Sequence, residues 1–343
     1  MTMALQRVVL GSDGVETTAL GFGCANLFRV GDSTGRARLL EAAYDAGIRH
    51  FDVAPMYGLG RAEAEVGRFA RSRRGDVILA TKFGIGPTPL ARALGRIQRP
   101  VRRTLEALPA VRQQARERAA GPESGRLGPM LYSAEGYDAA AARASLERSL
   151  HALATDYLDL LLLHDPAPGS VRSEDVRCYL EEARDAGWIR SWGVAGETDQ
   201  AVAVARSFGH AVPVLQLHDD VFIRSLRYSQ PAAGAYITFG ILGGALTRVV
   251  QHVRADGTRR KRWTALVGAD CGEPRVVAAL LLRAALQENS SGVVLFSTTK
   301  LQHIHDALAA AQAAPSEGDP ALGNFLSIVE AEFPDHHAVQ VNP

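Results

Sequence analysis

Cysteine is scarce in this chain: Cys24, Cys178 and Cys271 are the only three, far apart and odd in number. That count excludes a disulfide framework and fits a reducing compartment. Net charge is almost missing as well. Lys and Arg number 38 against 37 Asp and Glu, leaving a formal charge of +1. Such a balance supplies no field to draw in nucleic acid or an anionic membrane. No apolar run reaches the roughly 18 residues that a membrane helix needs. The opening stretch MTMALQRVVLGSDG has a short apolar segment and no small-residue cleavage pattern after it, so no signal peptide is expected. These gaps lead to the expectation of a cytoplasmic protein, a monomer or small homo-oligomer, that binds neither nucleic acid nor membrane.

What is present is an ordinary globular composition, 47% hydrophobic and 22% charged over 343 residues. Short apolar runs alternate with longer amphipathic segments. Candidate strands are Ala19–Cys24, His50–Ala54, Val77–Lys82, Tyr157–His164, Ser191–Ala195, Val214–His218, Ala235–Phe239 and Gly292–Ser297. Most are apolar at successive positions, as in DYLDLLLLH, which is how strands covered on both faces of a parallel sheet read. Between them lie helices with legible ends. Ser33 or Thr34 could cap the first, and Gly47 sits beyond its end. Ser173, Thr198 or Asp199, and Pro274 mark later starts, while Gly187 and Gly209 mark stops. The segment after Val214–His218 is a weak helix at best.

Eight strands, most followed by a helix, predict a single α/β domain over 1–343: a closed (β/α)8 TIM barrel. A doubly wound sheet is the alternative, but its glycine fingerprint is missing, since GFGCAN is not GxGxxG. Asp13-Gly14 predicts an N-terminal hairpin that could plug the barrel's bottom. Long insertions are expected after strand three (about 83–137, rich in arginine) and strand seven (243–272, with the run Arg259–Arg262), and a tail over 315–343. Both insertions would lie on the C-terminal face, where barrel chemistry happens.

Four polar residues stand at or just past successive strand ends: Asp52 and Tyr57 after strand two, Lys82 ending strand three and His164 ending strand four. In a barrel those ends converge on one mouth. A buried lysine beside a tyrosine favours phenolate and is expected to lower the phenol's pKa. The aspartate would pair with the lysine, and the imidazole could hydrogen-bond a substrate oxygen. Such a phenol can donate a proton to a carbonyl or take one from an alcohol. None of these groups can carry a hydride, so a nicotinamide cofactor, NADPH or NADH, is implied. Each residue alone reads more blandly, as a helix cap, a packed phenol, a snorkelling lysine or a core histidine.

On these residues the chain resembles the aldo-keto reductase family. GFGCANL is similar to the family's first strand, and AAYDAGIRHFDVAPMYGLGRAEAEVGRF to its signature. LATKFG carries the lysine and SLERSLHALATDYLDLLLLHDP the histidine. The phrase DVAPMYGLGRAE also resembles the aldose and pyridoxal dehydrogenase branch. The resemblance runs from about Val8 to about Ala314. It implies a TIM barrel that binds NADPH or NADH extended across its mouth, with Tyr57 as general acid or base.

It further implies cofactor contacts at Gly23 and Cys24, at Gln216 in strand six, and at Phe239, Gly240, Ile241 and Leu242 after strand seven. Ser297, Thr298, Thr299 and His303 would meet the phosphates. The family's Ser-Asn pair after strand five is absent, since Ala195 and Gly196 stand there. The fixed cations for a 2′-phosphate are also thinned to Lys300. Either NADH is taken, or the basic run Arg259–Arg262 folds over the cofactor. His218-Asp219-Asp220 reads as a capped loop or a substrate hydrogen-bond site, and no metal site is assigned.

The substrate implied is a small-molecule carbonyl or alcohol. Alternatives are an NAD-dependent aldose-type dehydrogenase, a cofactor-binding redox-sensing subunit with little turnover, and reduction of a C=N or C=C bond.

Overall fold

The computed structural model describes residues 4–11, 13–93, 131–229, 232–313 and 319–334. The chain opens with an antiparallel pair, β1 (Arg7–Leu10) and β2 (Val15–Thr18). Gly11 and Gly14 take the positive φ that the tight turn between them demands. Eight strands then follow in chain order around a closed barrel: β3 (Leu20–Gly23), β4 (His50–Asp52), β5 (Ile78–Phe83), β8 (Leu158–His164), β9 (Ile189–Gly196), β10 (Val212–His218), β11 (Ala233–Phe239) and β12 (Val293–Phe296). Their pairings are parallel, and β12 hydrogen-bonds back to β3. The hairpin covers the N-terminal end of this barrel, as its turn residues predict. Ser191 Oγ, near the start of β9, donates to Asp13 Oδ2 at 2.6 Å. A Cβ on Gly11 would stand 3.0 Å from the carbonyl oxygen of Pro213, near the start of β10.

Every residue of β8 is buried. That is why LDLLLLH reads as an unbroken apolar run: one side faces the packed barrel interior and the other a helix. The helices are α1 (Ser33–Asp45), α2 (Ala62–Ala70), α3 (Ala139–Leu153), α4 (Ser173–Asp185), α5 (Thr198–Ser207), α6 (Ser225–Ser229), α7 (Gly243–Arg254), α8 (Gly257–Val267), α9 (Pro274–Glu288), α10 (Leu301–Gln312) and α11 (Pro320–Glu332). Gly47, Gly187 and Gly209 all have positive φ one residue past a helix cap, and Pro274 opens α9, as expected. The cap of α1 differs. Asp32, one residue before Ser33, accepts from Gly35 N–H at 2.8 Å. Thr198 is also no cap: its hydroxyl bonds His218 O and Ser225 Oγ.

After β5 a second antiparallel pair, β6 (Ile85–Pro87) and β7 (Tyr132–Ala134), brackets the first insertion. Its arginine-rich centre lies outside the described residues. The insertion after β11 forms α7 and α8. Their guanidiniums are spent within this layer: Arg259 and Arg262 pair with Glu332 on α11, and Arg260 with Asp270 and Glu273. These helices share a second apolar cluster with α9 and α11, distinct from the barrel core.

Candidate active site

The four polar residues from successive strand ends meet. Lys82, at the end of β5, donates from Nζ to Asp52 Oδ1 at 2.6 Å and to Val53 O at 3.2 Å. Its third neighbour is the Tyr57 hydroxyl at 3.5 Å. Asp52 is braced from across the barrel, where Gln216 on β10 donates Nε2 to Oδ2 at 2.8 Å. The ring of Tyr57 stands edge-on to that of His164, with centroids 6.0 Å apart. The tyrosine sits in a 3-10 turn, Tyr57–Leu59, just past β4. Gly58 makes that turn possible: its φ is +61°, and a Cβ there would overlap the Phe28 ring at 2.4 Å.

Charge in this cluster follows from burial against pairing. Burial works against the Lys82 ammonium, but the charges and hydrogen bonds of Asp52 and Tyr57 outweigh it and hold its pKa above the usual lysine range. The phenol behaves differently from the expectation. Burial pushes Tyr57 up to about 12, although Lys82 pulls the other way. The lysine therefore limits the rise instead of producing a lowered value. Burial, then the nearby Lys82 charge, hold His164 well below the usual histidine range, so the imidazole is neutral at physiological pH. Its Nδ1 is buried with no hydrogen-bond partner among the described residues, and its Nε2 faces Asp165 Oδ2 at 3.6 Å. The backbone beneath it is held by Tyr137, whose hydroxyl donates to His164 O at 2.5 Å. Tyr137 escaped the sequence reading. Its signal is Gly84 of LATKFG, with φ +108°, where any Cβ would strike the Tyr137 ring.

The residues expected around a cofactor are also on this end of the barrel. Phe239 ends β11, and its ring stacks on His218 with centroids 5.4 Å apart. Gly240 has φ +86°, and a Cβ would stand 2.1 Å from His218 Cδ2. His218 in turn binds Glu197 Oε2 at 3.0 Å, a pair the sequence does not announce. The hydrogen bond to Glu197 raises the imidazole's pKa and lowers that of the carboxyl. Gln216 turns its amide to Asp52. Gly23 and Cys24 are buried, and burial pushes the Cys24 thiol above its usual range. Only their backbone can meet a ligand; Cys24 N–H itself donates to Asp52 O.

Ile241 is buried and Leu242 half-buried at the entry to α7. Neither α7 nor α10 has a side-chain cap at its N-terminus, so each leaves backbone N–H groups for an anion. Ser297 and Thr299 are exposed between β12 and α10, while Thr298 bonds both His303 Nδ1 and Lys300 N. This donor set fits a dinucleotide: a stacking ring, an uncovered pair of helix starts and a hydroxyl-rich turn. His218-Asp219-Asp220 is a capped loop. Asp219 accepts from Ser225 N–H, and Asp220 from Phe222 and Ile223 N–H.

The model of the Aldo/keto reductase family matches residues 19–221. A D-threo-aldose 1-dehydrogenase from Pseudomonas sp is 29% identical over 207 residues, 56% of this chain and 54% of that protein. A pyridoxal 4-dehydrogenase from Microbacterium luteolum is 43% identical over 84 residues, 24% of this chain and 25% of that protein. The matches thus span about half or less of the length of these relatives. The solved aldo-keto reductase from Klebsiella pneumoniae, a complex with NADPH, superposes with a TM-score of 0.62 at 19% identity. That match covers 97% of this chain and 96% of the other. The family match stops at 221, before the last two barrel strands. No described helix is long and apolar enough to cross a membrane.

Proposed function

The chain belongs to the aldo/keto reductase family, and from that premise we propose that it moves a hydride between a nicotinamide and a small-molecule carbonyl or alcohol, with Tyr57 as the general acid or base. The observation that carries this is the Asp52–Lys82–Tyr57 chain of contacts beside a neutral His164. When bound, NADPH or NADH supplies the hydride, or the oxidised form accepts it. Phe239 offers a face for the ring, and the starts of α7 and α10 offer N–H groups for its phosphates.

The protein's own part is proton management. A neutral His164 with its proton on Nε2 can donate to the substrate oxygen and orient it. Tyr57 gives that oxygen a proton when a carbonyl is reduced, or takes one when an alcohol is oxidised. Lys82 keeps its charge beside the phenol and steadies the phenolate that appears in either direction. Asp52, braced by Gln216, keeps the ammonium in place.

Tyr57→Phe removes only the hydroxyl. It is expected to lower kcat by a hundredfold or more while leaving the dissociation constants of NADPH and NADH, read by fluorescence quenching, nearly unchanged. Undiminished turnover in that variant would refute the assignment. The names of the two dehydrogenase relatives favour oxidation as the working direction, and that of the first favours an aldose-like substrate. Steady-state rates with each cofactor, oxidised and reduced, decide between the directions.

A further inference from the structure

The loop that carries Asp219 and Asp220 borders a cavity whose lining includes none of Asp52, Tyr57, Lys82 and His164. This space, of about 340 Å³, lies between that loop, α6, α9 and α11. Small-molecule sites begin at roughly this size, about 300 Å³. One part of its wall is apolar, made by Ile241, Leu281, Ala284 and Leu326. Another part carries the acids Asp219, Asp220 and Glu288 together with Arg224 and Arg227.

The charges in this wall do not balance. Arg227 donates from Nε to Glu288 Oε1 at 3.0 Å, and Arg224 stands 3.6 Å from Glu330 Oε1 on α11. Each guanidinium thus has a carboxylate. Asp219 and Asp220 have only backbone: Asp219 Oδ1 accepts from Ser225 N–H at 2.6 Å, and Asp220 Oδ1 from Phe222 and Ile223 N–H. Among the described residues neither is in an ion pair. Asp219 is only 4% exposed, and burial pushes its pKa up to about 7. A cation in the cavity would supply the charge these acids lack, whereas an anion would meet carboxylates. A metal ion is poorly served, because the described residues hold no cluster of three His, Cys, Asp or Glu ligands. Acids on one side and hydrocarbon on the other suit an organic cation with an apolar body.

We infer that this cavity is a binding site for a small aliphatic ammonium ion, with its charge against Asp219 and Asp220 and its hydrocarbon against Ile241, Leu281 and Leu326. The site is separate from the hydride-transfer reading, and its failure would leave that reading untouched.

The test is isothermal titration calorimetry of the full chain with cyclohexylammonium chloride, using cyclohexanol as a neutral probe of the same shape. The ammonium ion should bind saturably at pH 8, and cyclohexanol about tenfold more weakly or worse. The ligand keeps its proton between pH 6 and pH 8 while Asp219 loses its own, so affinity should rise about tenfold over that interval. His218, next to Asp219 and bonded to Glu197, acts in the same direction as it gives up its charge. Asp219→Asn should weaken binding at pH 8 about tenfold and flatten the pH dependence to the share owed to His218. Ala284→Phe fills the cavity, leaves every carboxyl in place and should abolish binding. The inference is overturned if the unaltered chain takes up no ammonium ion, if cyclohexanol binds as tightly, if Asp219→Asn changes nothing, or if a folded Ala284→Phe chain still binds.

Discussion

At the scale of single residues, buried acids show how position decides charge. Asp219, the middle residue of the capped loop after β10, is pushed up to about 7 by burial, with the Ser225 N–H bond opposing and Asp220 adding to the rise. The sign is fixed by proton binding. Between about pH 4 and pH 7 the folded chain holds a proton on this carboxyl that the unfolded chain has lost. Asp219 therefore costs stability progressively as pH climbs through that window, up to about 4 kcal/mol at the top of it. Asp219→Asn keeps an oxygen for Ser225 N–H and removes the charge. Its melting temperature should exceed that of the unaltered chain at pH 8, and the gap should close by about pH 4. A gap that is constant across pH would show that the carboxyl is not buried as a strained anion. Tyr57 obeys the same rule. Sequence spacing announced its neighbours, but the competition between desolvation and the Lys82 charge needed burial, which no motif prints.

At the scale of elements, the sequence disclosed the repeating parts well and their junctions poorly. All eight barrel strands stand within a few residues of where apolar runs put them. Full burial on both faces erases the alternation that otherwise marks a strand, and leaves the run itself as the signal. Caps were less legible, because Asp32, Ser33 and Thr34 all have capping side chains and only geometry selects Asp32. The Glu197–His218 pair joins ends of β9 and β10 that are twenty-one residues apart, and nothing local marks it.

Close backbone contacts between elements were invisible for a similar reason. On α2, Gly67 touches the last turn of α3: a Cβ would stand 2.4 Å from Leu153 O and 2.6 Å from its Cα. Those neighbours are backbone and cannot swing aside. Glycine normally weakens a helix interior by roughly 0.5–1 kcal/mol relative to alanine, so Gly67→Ala would stabilise an isolated α2. In the folded chain it should instead lower stability, by about 1–3 kcal/mol as the two helices are forced apart. Denaturant unfolding measures it. A stabilised variant would mean that α2 and α3 do not pack this closely.

At the scale of the whole molecule, two apolar clusters coexist among the described residues. One fills the barrel and its inner helix faces. The other joins α7, α8, α9 and α11 outside it. This division has no signature in the sequence, where the segment holding α7 and α8 reads as a basic insertion and α11 as part of a tail. Its physical basis is Trp263 and Phe325, both fully buried against each other with ring centroids 6.1 Å apart. Glu332 fastens the layer from α11, accepting from Trp263 Nε1 and pairing with Arg259 and His252.

The two clusters share α9, whose Leu282 and Leu286 belong to the barrel core while Val277, Leu280 and Leu281 belong to the outer one. Because one helix serves both, losing the outer cluster also withdraws cover from the barrel. Unfolding should then be a single cooperative transition. Phe325→Ala, which empties the centre of the outer cluster, should cost about 3–5 kcal/mol and shift that one transition to lower denaturant. Far-ultraviolet circular dichroism reports the helices and strands together. Tryptophan emission in a Trp263→Phe background reports the remaining Trp188 and Trp192, which lie on the barrel side. Coincident midpoints by the two probes are expected in both the parent and the Phe325→Ala chain. If the emission midpoint stays fixed while the dichroism curve splits, α9 does not couple the two clusters, and the outer layer unfolds by itself.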